Sequence, residues 1–187
     1  MLELQLAEVQ VTGEDYRNEL SAPLVSGRDF VAQRLVAAMS VSEQALVHAK
    51  QFAQHVQRTV EIGTSAPIEL EVSRTRIAEL TMAIDTLQRK LDIRRQFLAG
   101  KMDKIETELR VLEAEADQQV NTIQPKLNLA QQQTSQLAAR MAVGAAPEVE
   151  VVQARLHLLE LELALGKARL DLAVVRKRLQ EHRGGRL

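Results

Sequence analysis

The side chains that could do chemistry in this chain are few and badly spaced for it. His48 and His55 stand one heptad apart in "HAKQFAQH", on one face of a helix but two turns from each other. A metal pair on a single helix prefers a spacing of four, and a closed site needs three or four converging ligands. His157 and His182 stand alone and read as solvated. The acidic pairs Glu113/Glu115 and Glu160/Glu162 lie two residues apart, so their carboxylates leave a helix in different directions and form no acid–base dyad. Cysteine is absent, which removes thiolate nucleophiles, disulfides and thiolate zinc sites. No Gly-rich phosphate loop, nucleophile elbow or triad spacing occurs. The sequence therefore predicts no catalytic, metal or cofactor-binding residues, and a role that is not enzymatic.

Composition points to long helices instead. The 187 residues carry 24 basic and 25 acidic side chains, a net charge of −1, which argues against a nucleic-acid partner. Aromatics are limited to Tyr16, Phe30, Phe52 and Phe97, with no tryptophan to wall a ligand pocket. Leu, Val, Ala and Ile on a Glu/Arg/Gln/Lys background is the make-up of coiled coils. No run of about 18 apolar residues is present to span a bilayer. "MLELQLAEVQ" has neither the basic start nor the apolar core of a signal peptide and reads as helix. The expected compartment is cytoplasmic if the chain is complete as it stands.

Glycine and proline divide the chain. Gly63 followed by Pro67, and Gly144 followed by Pro147, read as tight turns in which glycine stops one helix and proline opens the next. Glu69, Glu71, Glu148 and Glu150 then fall in first turns, where the helix dipole favours them. "SGRD", Ser26 to Asp29, fits a capping box before the run that starts at Phe30. The prediction is an all-α, single elongated domain with no sheet. It comprises a short helix over 2–11, an irregular segment over 12–27, a first hairpin over 28–99, a second over 102–182 and a tail over 183–187. The four long helices are expected at 28–62, 67–99, 102–142 and 147–182, antiparallel to their sequence neighbours.

Periodicity sharpens this. In the last helix Val151, Ala154, Leu158, Leu161, Leu165, Ala168, Leu172, Val175 and Leu179 alternate spacings of three and four, a heptad seam. Its burial contributes on the order of 10 kcal/mol before entropy, at 1.5–3 kcal/mol per large side chain. A second stripe, Val149, Val152, Leu156, Leu159, Leu163, Gly166, Leu170 and Ala173, takes the b and f positions across the helix. A helix with two opposed apolar seams must be sandwiched between two partners, so the second stripe is the candidate partner-facing seam. The short N-terminal helix (Leu2, Leu4, Leu6, Val9) would cover it internally if it packed there. The helix over 67–99 carries one seam, broken at Ser73 and Arg94. The helix from Met102 runs through Ile105, Leu109, Leu112 and Ala116 with a stutter at Ala116, and Pro125 should kink it.

Aligning Gly63 with Gly144 superposes Glu69 on Glu150, Arg74 on Arg155, Glu79 on Glu160, Leu91 on Leu172 and Arg95 on Arg176, which reads as an internal repeat. "MAVGAAPEVEVVQARLHLLELELALGKARLDLAVVRKRL" resembles the hairpin-tip repeat of the outer-membrane efflux channel (TolC-like) family, through Val143, Gly144, Glu150, Val151, Ala154 and Arg155. Ile62, Gly63, Glu69 and Leu70 carry the same pattern more faintly, so the resemblance covers roughly residues 57–98 and 137–179. It implies helical hairpins in a bacterial cell envelope, periplasmic or membrane-peripheral, whose tips dock a protein adaptor. On that reading Gly63, Ala66, Pro67, Gly144, Ala146 and Pro147 are the docking tips. Family members insert membrane β-strands between the repeats, and nothing in this chain alternates as a strand.

The expected role is a scaffold or extrinsic subunit that braces a larger membrane-associated or cell-envelope assembly, packing on subunits of a membrane complex or on another copy of itself, with an envelope ligand or metal sensor as a further alternative. The basic C-terminus "RKRLQEHRGGRL" is the candidate for peripheral membrane contact.

Overall fold

A computed structural model describes residues 2–13 and 16–185 of the chain. Its elements are α1 (Leu2–Thr12), α2 (Phe30–Glu61), α3 (Pro67–Leu98), α4 (Lys104–Ala142) and α5 (Glu148–Gly184). The fold is all-α; among the described residues the only bridge is the isolated one between Val25 and Arg28. None of the described helices is long and apolar enough to cross a membrane.

Most boundaries fall within a residue or two of the expected ones, and the differences have causes. Asp29, not Ser26, caps α2: its Oδ1 accepts the Ala32 N–H at 3.0 Å, while Ser26 lies in a turn with φ +50°. The irregular segment therefore extends to Asp29. Asp103 caps α4 in the same way, accepting from Glu106 N–H at 2.6 Å, and delays that helix to Lys104. Helix α5 continues through Gly184 rather than stopping near 182, because Gly185 closes it with an ordinary φ of −77°. Pro125 sits inside α4 and does not interrupt it.

The long helices pack in chain order, α2 on α3, α3 on α4 and α4 on α5. Helix α2 does not meet α5, so the array is open, with α2 and α5 as its two edges. Cross-helix ion pairs record the antiparallel register. Arg89 of α3 meets Asp117 of α4 at 2.7 Å, Lys90 meets Glu115 at 2.6 Å, and Glu79 meets Lys126 at 2.8 Å. Burial works to raise the Glu79 carboxyl, but hydrogen bonds and charge from Lys126 and Arg76 outweigh it and hold its pKa below the ordinary value. Arg176 of α5 reaches Glu113 and Asp117 at 3.3 and 3.6 Å, joining the second interface to the first.

The irregular segment is folded onto one end of the array by two buried arginines. Arg94, 1% exposed, donates from Nε to both Asp29 carboxylate oxygens at 3.1 and 3.2 Å. Its Nη1 donates to the Leu20 carbonyl at 2.8 Å and to the Ala22 carbonyl. Its Nη2 is 3.1 Å from Asp29 Oδ1, near enough for charge but not aligned for a hydrogen bond. The guanidinium thus satisfies carbonyls that no helix ladder could reach, and in doing so packs Leu20 and Ala22 against Val31, Ile93 and Met102. Arg34 does the same for α1, pairing with the buried Glu8 carboxylate and donating to the Arg17 carbonyl. The Ser73 and Arg94 positions that interrupt the α3 seam are therefore both buried.

Helix α4 departs from its expected single seam. Ile105 and Leu112 are 56% and 46% exposed, whereas Glu106 and Thr107 are buried. Helix α4 serves α3 and α5 at once, so its buried positions follow two directions rather than one heptad line.

Candidate docking surface

The two seams of α5 separate cleanly. Val151, Leu165, Ala168, Leu172, Val175 and Leu179 are buried against α4. On the opposite side Val149 (58%), Val152 (54%), Leu156 (58%), Leu159 (60%), Leu163 (78%) and Leu170 (64%) are exposed. Gly166 and Ala173, which continue the line, are exposed too. The structure gathers all six candidate seam residues onto one outward face of an edge helix. Helix α1 packs on α2 and does not reach them. Scattered exposed apolar side chains are normal on a soluble protein, but a contiguous apolar line of this length is not.

The two tips share their backbone bonds. At the α2–α3 turn the Thr64 N–H returns to the Thr59 carbonyl at 2.8 Å and Gly63 N–H to Val60 at 3.0 Å. At the α4–α5 turn the Ala145 N–H returns to Arg140 at 2.8 Å and Gly144 N–H to Met141 at 2.9 Å. Each is a glycine C-cap, and the φ values of +77° and +71° are what demand glycine, since a Cβ at either site would meet nothing within 4 Å. Pro67 then opens α3, and Pro147 stands just before α5. Gly63, Ala66, Pro67, Gly144 and Pro147 are exposed, and Ala146 is half-buried. The register of α3 against α4 puts both tips at the same end of the array, opposite the arginine clamp. Ile62 and Val143, 73% and 78% exposed, stand at the two tips as bare apolar side chains.

Among the described residues the chemistry-bearing side chains meet as pairs rather than as a cluster, His157 lying 3.6 Å from Glu160. His48 and His55 are exposed, and no group of three or more potential metal ligands occurs among the described residues. His182, expected to be solvated, instead bonds Asp103 Oδ2 through Nε2 at 3.0 Å. Arg183 donates to the buried Glu106 at 2.7 and 3.1 Å. Arg176 also meets Glu113 and Asp117 of α4, while Lys177 and Arg178 are exposed; Arg186 and Leu187 lie outside the described residues.

Sequence reasoning also missed a cleft of about 620 Å³, where α2, α3 and α4 meet residues 18–20. Leu20, Val31, Leu35, Leu87, Val111 and Leu112 supply its apolar lining, which is why Leu112 is exposed. Of its charged lining, Lys90 pairs with Glu115 and Arg34 with Glu8. No aromatic residue lines it among those described. The cleft depends on the path of the irregular segment, for which the sequence has no local signal.

Fold and surface together define an all-α helical-hairpin protein with an unpaired apolar edge. No family model, curated protein or solved structure matches the chain.

Proposed function

We propose that the protein is a non-catalytic helical scaffold, an extrinsic subunit that braces a larger protein assembly through the outward face of α5. The observation that carries this is the exposure of every large side chain in the second seam, 54% to 78%, on a helix whose first seam is buried. Six such side chains in one line offer an apolar strip of the kind interfaces use at their centre. The ordered turns at the far end suit an end-on contact, and they favour a second reading: a hairpin of the efflux-channel type, docking an envelope adaptor through Ile62–Pro67 and Val143–Pro147. A periplasmic or membrane-peripheral position goes with both readings.

The test is sedimentation of a fluorescently labelled chain in a lysate of its source cells. Wild type should sediment in an assembly larger than its own 20.9 kDa, and the Leu159→Glu/Leu163→Glu variant should not. Wild type sedimenting as a lone chain sinks the scaffold reading. An assembly kept by that variant but lost on changing Ile62 and Val143 to Glu favours the tip-docking reading.

A further inference from the structure

From the charges that flank the apolar strip, and resting on the scaffold reading above, we infer that α5 pairs in parallel and in register with α5 of a second copy of this chain. The strip has its own heptad register, opposed to the buried one. Leu156, Leu163 and Leu170 take a positions, and Val152, Leu159 and Gly166 take d. From Val149 to Ala173 it runs for about three and a half heptads, the length over which an a/d pattern specifies a coiled coil.

The e and g positions decide the occupant and its direction. Arg155 and Glu162 fall at g, and Glu160 and Lys167 at e. In a parallel pair a g residue meets the e residue five positions on in its partner. That brings Arg155 to Glu160 and Glu162 to Lys167 of the second copy, and twofold symmetry repeats both contacts. Every one is between opposite charges. An antiparallel pair with the strips fully overlapped would set Arg155 against Arg169 and would face Glu160 and Glu162 with their own copies, and sliding it by one heptad to relieve this leaves one end of each strip uncovered. A like-charge contact costs about as much as an opposite-charge one contributes, so the parallel direction is the one that combines full burial of the strip with opposite charges beside it.

Inside the chain these charges have little to do. Arg155, Glu162 and Lys167 make no ion pair among the described residues, and Glu160 has only His157, 3.6 Å away. Gly166 points the same way. It sits mid-helix, exposed, with nothing within 4 Å of where a Cβ would be, so packing within the chain gives no reason for it. At a d position it lets two helices approach closely. The other edge is no rival, because the exposed apolar residues of α2 (Val36, Val41, Val47, Phe52) are five or six apart and form no strip. Parallel pairing also has a consequence for the assembly: the tips of both copies point the same way, so one end of the dimer presents four turns.

Single-cysteine cross-linking of the purified protein tests this, since the natural chain has no cysteine. Val152→Cys alone should oxidise to a disulfide-linked dimer, and Leu170→Cys alone should do the same. An antiparallel pair would hold the two thiols introduced by Val152→Cys about 27 Å apart along the axis, beyond reach of a disulfide. It would cross-link only a mixture of the two variants. Cross-linking restricted to that mixture, or absent from all three samples while circular dichroism shows the helices intact, overturns the inference. Lys167→Glu should weaken the dimer about tenfold, and adding Glu162→Lys should restore it. Unchanged affinity in Lys167→Glu also counts against parallel pairing. A purified monomer alongside a strip-dependent assembly in lysate removes this inference and leaves the scaffold reading standing; no assembly in either removes both.

Discussion

The two edge helices of the array both expose apolar side chains and differ in how these are arranged. Helix α2 shows Val36, Val41, Val47 and Phe52, at 49% to 63% exposure, yet steps of five and six residues scatter them around the helix. Helix α5 shows seven, of which the six from Val149 to Leu170 stand at steps of three, four and seven and line up. One end of α2 is also covered, by α1 and by the segment that Arg34 and Arg94 hold down. Exposure alone therefore does not mark an interface; exposure in register does. An edge with scattered valines is a finished surface, and an edge with a heptad line is half of a seam.

The largest break in this comparison comes from the covered edge. Arg94→Ala would leave Asp29 and the Leu20 and Ala22 carbonyls without their donor in a buried setting, at a cost of about 3–5 kcal/mol. Chemical denaturation should show that loss, and limited proteolysis should show cleavage within residues 18–28 before any helix is cut. Next is the buried face of α5: Leu165→Ala, 4% exposed in the native chain, should cost about 2–5 kcal/mol in the same assay. By contrast Leu163→Ala on the outward face should cost under about 1 kcal/mol at concentrations where the chain is monomeric. Equal losses at 163 and 165 would mean the two faces are not distinct.

Smaller effects belong to the turns and the ion pairs. Gly63→Ala and Gly144→Ala should each destabilise by about 1 kcal/mol, since alanine must enter a left-handed conformation. The Glu79 carboxyl has its pKa lowered below 4.5 in the folded state, so its ion pairs add stability above that value. The contribution is lost as pH falls through the folded pKa, and Glu79→Gln should flatten the acid limb of stability against pH. An identical limb in the variant would show that Lys126 and Arg76 give this carboxylate nothing in solution.

Much of the fold is legible because its signals are local. Glycine at Gly63 and Gly144, proline after each, and steps of three and four in α5 all act within a turn or two of the residue concerned. The exposed face of α5 could be read for the same reason, as a second line opposed to the first. What escaped was long-range. Arg94 reads as a flaw in an apolar seam, and only in three dimensions does it meet two carbonyls more than 70 residues away. The burial of Glu106 in the first turn of α4 has no local signal, since its partner Arg183 arrives from the last helix. The open order of the helices has no local signal either, because a strip that awaits a partner and one that closes a bundle are written with the same residues.

The mass of the purified protein in solution, measured by light scattering across a concentration series, tests the central claim most directly. Wild type should approach twice its 20.9 kDa chain mass as concentration rises, and Leu159→Glu/Leu163→Glu should stay at the single-chain value with its helices intact. Wild type and variant giving the same mass at every concentration would contradict the claim that the outward face of α5 is half of a seam between two copies.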